Sequence, residues 1–224
     1  MLAIIAAIDN DLQREFISDV YIKYYNLARA KALTFVHDEF EAEEIIQEVG
    51  LCAEDLNRRP AEFSGGQRQR ISIARGLIMN PRLLVCDEVV SALDVSIQGQ
   101  IINLLQDLRR KRGLSFIFIT HDLKVASYFC DRIGVMYFGN LVEMTTSDEL
   151  FAHPLHPYTK SLLSAIPLPD PVYEKNRKRI TYNPLAEHDY SVDKPTLREV
   201  KPGHFVKCND AEFKKYQEIL NSDK

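Results

Sequence analysis

The sequence has 224 residues, of which 46% are hydrophobic and 27% charged, and its formal net charge is −4. This composition supports a folded core and excludes a strongly basic chain, so no nucleic-acid partner is predicted. The four cysteines lie far apart without metal-ligand spacing, which indicates a reduced compartment. They are Cys52, Cys86, Cys130 and Cys208.

The first part of the chain is predicted to be mostly helical. It opens on a short apolar run that is too short to span a membrane, and we interpret this run as the start of a buried strand or helix. Residues 11–31 are predicted as a helix. Residues 41–49 have apolar side chains at helical spacing, and this second helix is expected to end at Gly50.

The pattern changes at Ser64, which is predicted to cap a helix that ends before Asn80-Pro81. Strands and helices are then predicted in alternation at residues 83–86, 97–113, 115–120 and 123–129, followed by two strands at 133–138 and 141–145 that Gly139-Asn140 joins. This order predicts a parallel α/β sheet, in which the strand 83–86 is buried on both faces. After residue 166, prolines and basic residues predict an irregular, largely exposed tail.

A basic run covers residues 109–112 at the end of one of these helices. Cations suit the negative end of a helix dipole, and we prefer this interpretation to a local nucleic-acid patch.

Four groups of residues carry the candidate chemistry, and the first is Ser64-Gly65-Gly66-Gln67. Two glycines at the start of a helix let backbone approach a ligand, and the amides and dipole there favour an anion such as phosphate. A simple cap between a loop and a helix is the alternative interpretation.

The second group is Asp87-Glu88, which directly follows a predicted strand. The carboxyl ends of parallel strands are where α/β sheets place their chemistry. We predict that Asp87 holds Mg²⁺ through water and that Glu88 orients or deprotonates an attacking water. The alternative is that the strand has reached solvent at this point.

The third group, Ser91 to Asp94, forms a turn, and pure capping of the next helix is its alternative interpretation. The fourth is His121, which follows a buried strand and is predicted to donate a hydrogen bond to a terminal phosphate. A lone histidine at a strand end is more often structural, so the four groups carry the argument jointly.

Together these groups resemble the nucleotide-binding domain of ATP-binding-cassette (ABC) transporters. Ser64–Gln67 resembles the family signature, residues 83–88 the Walker B strand, Ser91–Asp94 the D-loop, and His121 the switch histidine. The resemblance implies a P-loop NTPase-like fold with ATP and Mg²⁺ as cofactors. The signature and Asp94 would bind nucleotide, and Glu88 and His121 would act in hydrolysis.

The segment 153–167 resembles the region that follows this domain in oligopeptide and dipeptide importers. The resemblance implies a peripheral ATPase subunit at the cytoplasmic face of the membrane, with a second ABC ATPase subunit and membrane permease subunits as partners. The predicted divisions are a partial helical subdomain (1–63), the C-terminal half of the ATPase core (64–150) and an importer-type extension (151–224). The peptide and the permease are not predicted.

The sequence departs from the family in two ways. No Gly-x-x-x-x-Gly-Lys-Ser/Thr loop occurs, since none of the nine glycines precedes Gly50, and Gln13 is a poor match to the family's glutamine loop. Val89 stands where the family usually has proline. The isolated chain is therefore expected to be inactive alone. The alternatives are a truncated half that contributes its signature or a structural surface to a partner, and a soluble ABC protein of DNA repair or translation.

Overall fold

A computed structural model describes residues 4–6, 39–52, 55, 62–167, 179–188, 190 and 193–222. The chain divides into two compact units, one within residues 8–117 and one that joins residues 1–7 to residues 118–224. The predicted helix at 11–31, Gln13 and most of the opening apolar run lie outside the described residues. Residues 4–6 form the short strand β1 (Ile4–Ala6).

The unit within residues 8–117 contains three described helices, one complete strand and the start of another. They are α1 (Glu39–Glu48), α2 (Gly65–Leu77), β2 (Leu83–Asp87), α3 (Val95–Arg112) and the first residues of β3 (Ser115–Thr120). Helix α3 ends at Gly113, which adopts φ +62°, a left-handed conformation that favours glycine at a helix end. The Ser115 N–H donates to the Arg82 carbonyl at 3.0 Å, so β2 and β3 begin side by side, as parallel neighbours do.

Strand β2 corrects one prediction, because it is not buried on both faces. Cys86 is buried, whereas Val85, on the opposite face, is 37% exposed. Burial of both faces requires cover on each side. Helix α2 covers one side, where Leu84 packs closely against Gly76. An all-apolar run does not reveal which of its faces lacks such cover.

Two arginines attach the carboxyl end of α1 to the other helices of this unit. Arg70 of α2 donates from Nη1 to the Val49 carbonyl at 2.6 Å. Arg112 of α3 pairs with Glu48 at 2.6 Å, in an ion pair whose side chains are 25% and 16% exposed. The last residue of the basic run therefore binds α1, in addition to lying at the negative end of its own helix.

The second unit is built on an antiparallel sheet with helices at its connections. Its remaining elements are α4 (Leu123–Phe129), β4 (Arg132–Tyr137), β5 (Asn140–Thr146), α5 (Ser147–Ala152), α6 (Pro157–Ala165), α7 (Pro184–Glu187), β6 (Thr196–Lys201), β7 (His204–Cys208) and α8 (Asp210–Ser222). Within this unit the strand order is β3-β1-β4-β5-β7-β6, and each pairing is antiparallel. The mixed α/β class is confirmed, with an antiparallel part that the strand–helix alternation did not predict.

The prediction of an irregular tail is wrong for residues 196–222. Strands β6 and β7 form a hairpin, and β7 continues the sheet by pairing with β5. Helix α8 then closes a separate apolar cluster, whose buried members are Leu155, Val200, Val206, Cys208 and Tyr216. Strands of a sheet gain their stability from partners distant in sequence, which a local reading of prolines and charges does not reveal.

A buried carboxylate joins the hairpin to the rest of this unit. Glu143 of β5 is fully buried and accepts the Leu155 N–H at 2.8 Å and the His156 N–H at 3.0 Å. Its Oε1 also lies 2.8 Å from Nε2 of the buried His204 on β7. A buried carboxyl group is tolerated when its oxygens are hydrogen-bonded, and both oxygens of Glu143 meet this condition.

The predicted divisions at residues 63 and 150 stay predictions. The two compact units divide the chain at a different place, between residues 117 and 118. In the part of the chain that the structure describes, no helix is long and apolar enough to cross a membrane.

Candidate functional site

The signature segment lies at the start of α2, where Ser64 is the N-cap. The Gln67 N–H donates to Ser64 Oγ at 3.2 Å, and the Ser64 N–H donates to Gln67 Oε1 at 2.9 Å, which forms a reciprocal capping box. The capping interpretation is therefore correct for Ser64 and Gln67, but it leaves the amides of the first helical residues, Gly65 and Gly66, without an intrahelical acceptor. Those amides, at the positive end of the helix dipole, suit a phosphate.

The two glycines also have a packing role that the sequence did not reveal. A Cβ added at Gly66 would lie 2.7 Å from Cγ2 of Ile97, and one added at Gly65 would lie 3.4 Å from Cδ2 of Leu93. Leu93 and Ile97 flank Asp94 at the start of α3. The structure thus brings the signature segment against the residues around Asp94.

Asp87 and Glu88 lie at the carboxyl end of β2, and both side chains are exposed. Partial burial, together with the neighbouring charge of Glu88, raises the pKa of the Asp87 carboxyl above its ordinary value. A carboxylate whose charge is disfavoured by burial and by an adjacent acid is one that a divalent cation would stabilise. Their chemistry fits Mg²⁺.

The backbone turns sharply at Glu88, which has φ +48°. This left-handed conformation is uncommon for a residue other than glycine. The Ser91 N–H and Oγ both donate to the Glu88 carbonyl, at 3.1 Å and 2.9 Å, and hold the turn. Val89 and Val90 follow as buried residues, so valine at position 89 serves as an apolar anchor for this turn.

Asp94 is the N-cap residue of α3 by position, but its side chain makes no capping hydrogen bond. Its carbonyl accepts the Ile97 and Gln98 N–H groups at 2.9 Å and 2.8 Å. Gln98 Nε2 donates to the Leu93 carbonyl at 2.9 Å. The exposed Asp94 carboxylate is therefore not used as a cap, which disfavours the pure capping interpretation.

His121 belongs to the second unit, where it is exposed directly after the buried end of β3. On one side of it, Thr120 Oγ1 accepts the Asp122 N–H at 3.0 Å. On the other side, Asp122 caps α4 by accepting the Lys124 and Val125 N–H groups at 2.8 Å and 3.3 Å. The residues beside His121 are thus held firmly. Convergence of His121, Glu88 and the signature on one triphosphate stays a prediction.

Sequence reasoning missed two residues that support this site, Arg70 and Gln98. Each donates a side-chain hydrogen bond to a backbone carbonyl, that of Val49 for Arg70 and that of Leu93 for Gln98. Contacts of this kind have no sequence signal, because any nearby carbonyl can serve as the acceptor.

Comparisons with known proteins identify the class. Residues 6–91 match the ABC transporter family model, and residues 142–192 match the model of the oligopeptide/dipeptide transporter C-terminal region. Over these two segments the chain is similar to ABC transporter ATP-binding proteins. A solved ATP-binding cassette of an ABC transporter, MJ1267 in its ADP conformation, covers 62% of this chain and 53% of its own at 23% identity, with a TM-score of 0.48.

Within that family, the chain is similar to oligopeptide and dipeptide transport ATP-binding proteins. OppF of Bacillus subtilis is 57% identical over 173 residues, which are 77% of this chain and 57% of the relative. AmiF of Streptococcus pneumoniae is 51% identical over 188 residues, 82% of this chain and 61% of AmiF. DppF of Lactococcus lactis is 51% identical over 174 residues, 78% of this chain and 55% of DppF. The chain thus spans little more than half the length of these relatives.

Proposed function

We propose that this chain acts in the ATP-binding component of an importer for oligopeptides or dipeptides, and that it couples ATP hydrolysis to transport. The observation that carries this proposal is the start of α2, where Ser64 and Gln67 cap each other and the amides of Gly65 and Gly66 are left for an anion. Similarity to OppF and DppF supports the peptide cargo.

The bound groups are ATP and Mg²⁺, and the metal would supply charge neutralisation on the phosphates. Asp87 holds the metal through water, since its carboxylate lies at the end of β2 next to a second acid. Glu88 orients or deprotonates the attacking water, and His121 donates a hydrogen bond to the terminal phosphate. Ser64, Gly65, Gly66, Gln67 and Asp94 bind nucleotide.

The partners that this function requires are a second ABC ATPase subunit and membrane permease subunits. In an ABC dimer the signature of one subunit faces the nucleotide held by the other, so Ser64, Gly66 and Gln67 act in trans. The chain would then lie peripherally on the cytoplasmic face of the membrane.

A second candidate is that the chain contributes only its signature segment, or a structural surface, to a partner ATPase. Binding of labelled Mg-ATP to the isolated chain separates the two candidates. Micromolar binding with Mg²⁺-dependent turnover contradicts the second, and absence of both supports it.

The signature assignment is tested by Ser64→Arg in the transporter complex purified through a tag on this chain. A bulky cation at the N-cap removes the capping box and occupies the phosphate position, so we expect ATP turnover to fall by about 100-fold or more. Asn103→Arg adds the same charge at an exposed position of α3 and is expected to leave turnover unchanged. Unchanged turnover in Ser64→Arg would contradict the proposal.

A further inference from the structure

Gly66 lies in one of the tightest helix contacts of the unit within residues 8–117. It is buried in α2, and the position of its absent Cβ is 2.7 Å from Cγ2 of Ile97 on α3. Real Cβ atoms do not approach a neighbouring carbon so closely, so alanine at position 66 would force the Ile97 side chain from its rotamer or move one of the two helices. Gly99, two residues after Ile97 on α3, has no atom of a packing neighbour within 4 Å of its Cβ position.

A second contact lies beside the first. Leu93 Cδ2 is 3.4 Å from the Cβ position of Gly65, an ordinary packing distance. The backbone of Leu93 is held from both sides, because its N–H donates to the Val90 carbonyl at 3.2 Å and its carbonyl accepts from Gln98 Nε2 at 2.9 Å. The segment 93–97 is therefore fixed where it meets the signature glycines.

We propose that Ile97, supported by Leu93, is a positioning residue that aligns the start of the signature helix with Asp94. Position 66 then requires glycine because the Ile97 methyl group occupies the space that a side chain at position 66 would need. This packing requirement is separate from any requirement for the nucleotide to approach the backbone. Asp94 lies between the two contacting residues, so a shift of either contact moves the signature amides and the Asp94 carboxylate relative to each other. The effect of this alignment on turnover rests on the proposed function.

The packing contact is tested by a double-mutant cycle on the full 224-residue chain, with the melting temperature as the readout. Gly66→Ala is expected to lower Tm by roughly 3–10 °C, since overpacking of this kind is costly. Ile97→Ala removes the opposing methyl group, so Gly66→Ala should lower Tm far less in the Ile97→Ala background. Gly99→Ala is the matched control and should hold or raise Tm, because alanine favours an open helix position.

The alignment is tested by ATP turnover in the transporter complex purified through a tag on the same full chain. Gly66→Ala is expected to lower kcat by about tenfold or more with KM for ATP unchanged, because the signature is misplaced and not removed. The double variant Gly66→Ala/Ile97→Ala should recover most of the lost kcat. Ile97→Val retains Cγ2 and should keep wild-type kcat, whereas a role confined to stability would leave kcat unchanged in every folded variant.

The outcomes separate this inference from the proposed function. Additive Tm changes in the cycle overturn the packing contact. A double variant that regains Tm but keeps the kcat of Gly66→Ala overturns the positioning role, since glycine would then be needed by the nucleotide itself. If Ser64→Arg has the same ATP turnover as the wild type, the proposed function fails. The Tm cycle still decides whether the Ile97 side chain requires glycine at position 66.

Discussion

In the unit within residues 8–117 the acids Asp87, Glu88 and Asp94 are exposed at the ends of structural elements, whereas in the second unit Glu143, His156 and His204 are buried and hydrogen-bonded inside the fold. The side chains of the first set face solvent at the end of β2 and at the start of α3. The second set links strands and turns that are distant in sequence. The comparison teaches that a carboxylate whose oxygens face solvent is available for chemistry, whereas one whose oxygens have internal partners, such as Glu143, serves the architecture.

The largest effect expected from this comparison is on Glu88. Glu88→Gln keeps the shape but removes the base, so ATP turnover of the purified transporter should fall by about 10²–10⁴-fold while the melting temperature stays the same. Glu44→Gln, at an exposed position of α1, is the control and should change neither quantity. Equal turnover in Glu88→Gln and wild type would show that the hydrolytic site of this chain is idle.

The next effect concerns Glu143, the buried carboxylate of the second unit. Glu143→Ala leaves two backbone N–H groups and the His204 ring without their acceptor, so the free energy of unfolding should fall by about 3–5 kcal/mol. Urea unfolding at pH 7 measures it. Glu218→Ala, on the exposed side of α8, should stay within about 0.5 kcal/mol of wild type. A similarly small change for Glu143→Ala would contradict the architectural role, and Glu143→Gln, which keeps one acceptor, should fall between the two.

A pH effect of intermediate size is expected from His156. Burial, together with the nearby His188 and Lys207, lowers the pKa of His156 from 6.5 to about 3. Its Nδ1 accepts the Tyr158 N–H at 3.1 Å, which requires the neutral ring. A lowered pKa means that the unfolded chain binds the proton first, so the stability is present above pH 6.5 and is lost as the pH falls towards 3.

By pH 5 this loss should reach about 2 kcal/mol. His156→Asn keeps a side-chain acceptor at the N-cap of α6 but does not titrate, so its unfolding free energy should decline less between pH 7 and pH 5. Urea unfolding of both proteins across this range gives the measurement. Parallel pH profiles for the wild type and His156→Asn would rule out His156 as the source.

The smallest expected effect sharpens the comparison within the basic run. Arg112 pairs with Glu48 across α1 and α3 with both side chains mostly buried, whereas the Arg110–Asp107 pair has side chains that are 74% and 51% exposed. Arg112→Ala should lower the free energy of unfolding by about 1–2 kcal/mol, and Arg110→Ala by about 0.5 kcal/mol or less. Equal effects in chemical unfolding would contradict the attachment of α1 through Arg112.

The elements governed by local signals were predicted closely. The strand Ser115–Thr120 and the helix Leu123–Phe129 were predicted to the residue, because a buried apolar run and a helix N-terminus are both encoded by adjacent side chains. The pairing of the β6–β7 hairpin with β5 was missed because β5 is some sixty residues earlier in the chain, as shown by the register of Glu143 with Val206.

The same division holds within the candidate site. The cap at Ser64 was predicted because its acceptor and donor are three residues apart. The contact of Gly66 with Ile97 was not predicted, since it depends on how α2 and α3 pack. The partial exposure of β2 was missed for a related reason, because exposure depends on which helices cover the strand.

The left-handed backbone of Glu88 has a consequence for the evolution and engineering of this turn. At φ +48° the left-handed backbone has a lower conformational free energy with glycine or asparagine than with glutamate, by about 1 kcal/mol. A selection for thermal tolerance alone would therefore drift towards Glu88→Gly or Glu88→Asn, and a melting curve of either variant would reveal the gain. With glutamate at position 88 the turn is less stable, but a carboxylate remains beside Asp87.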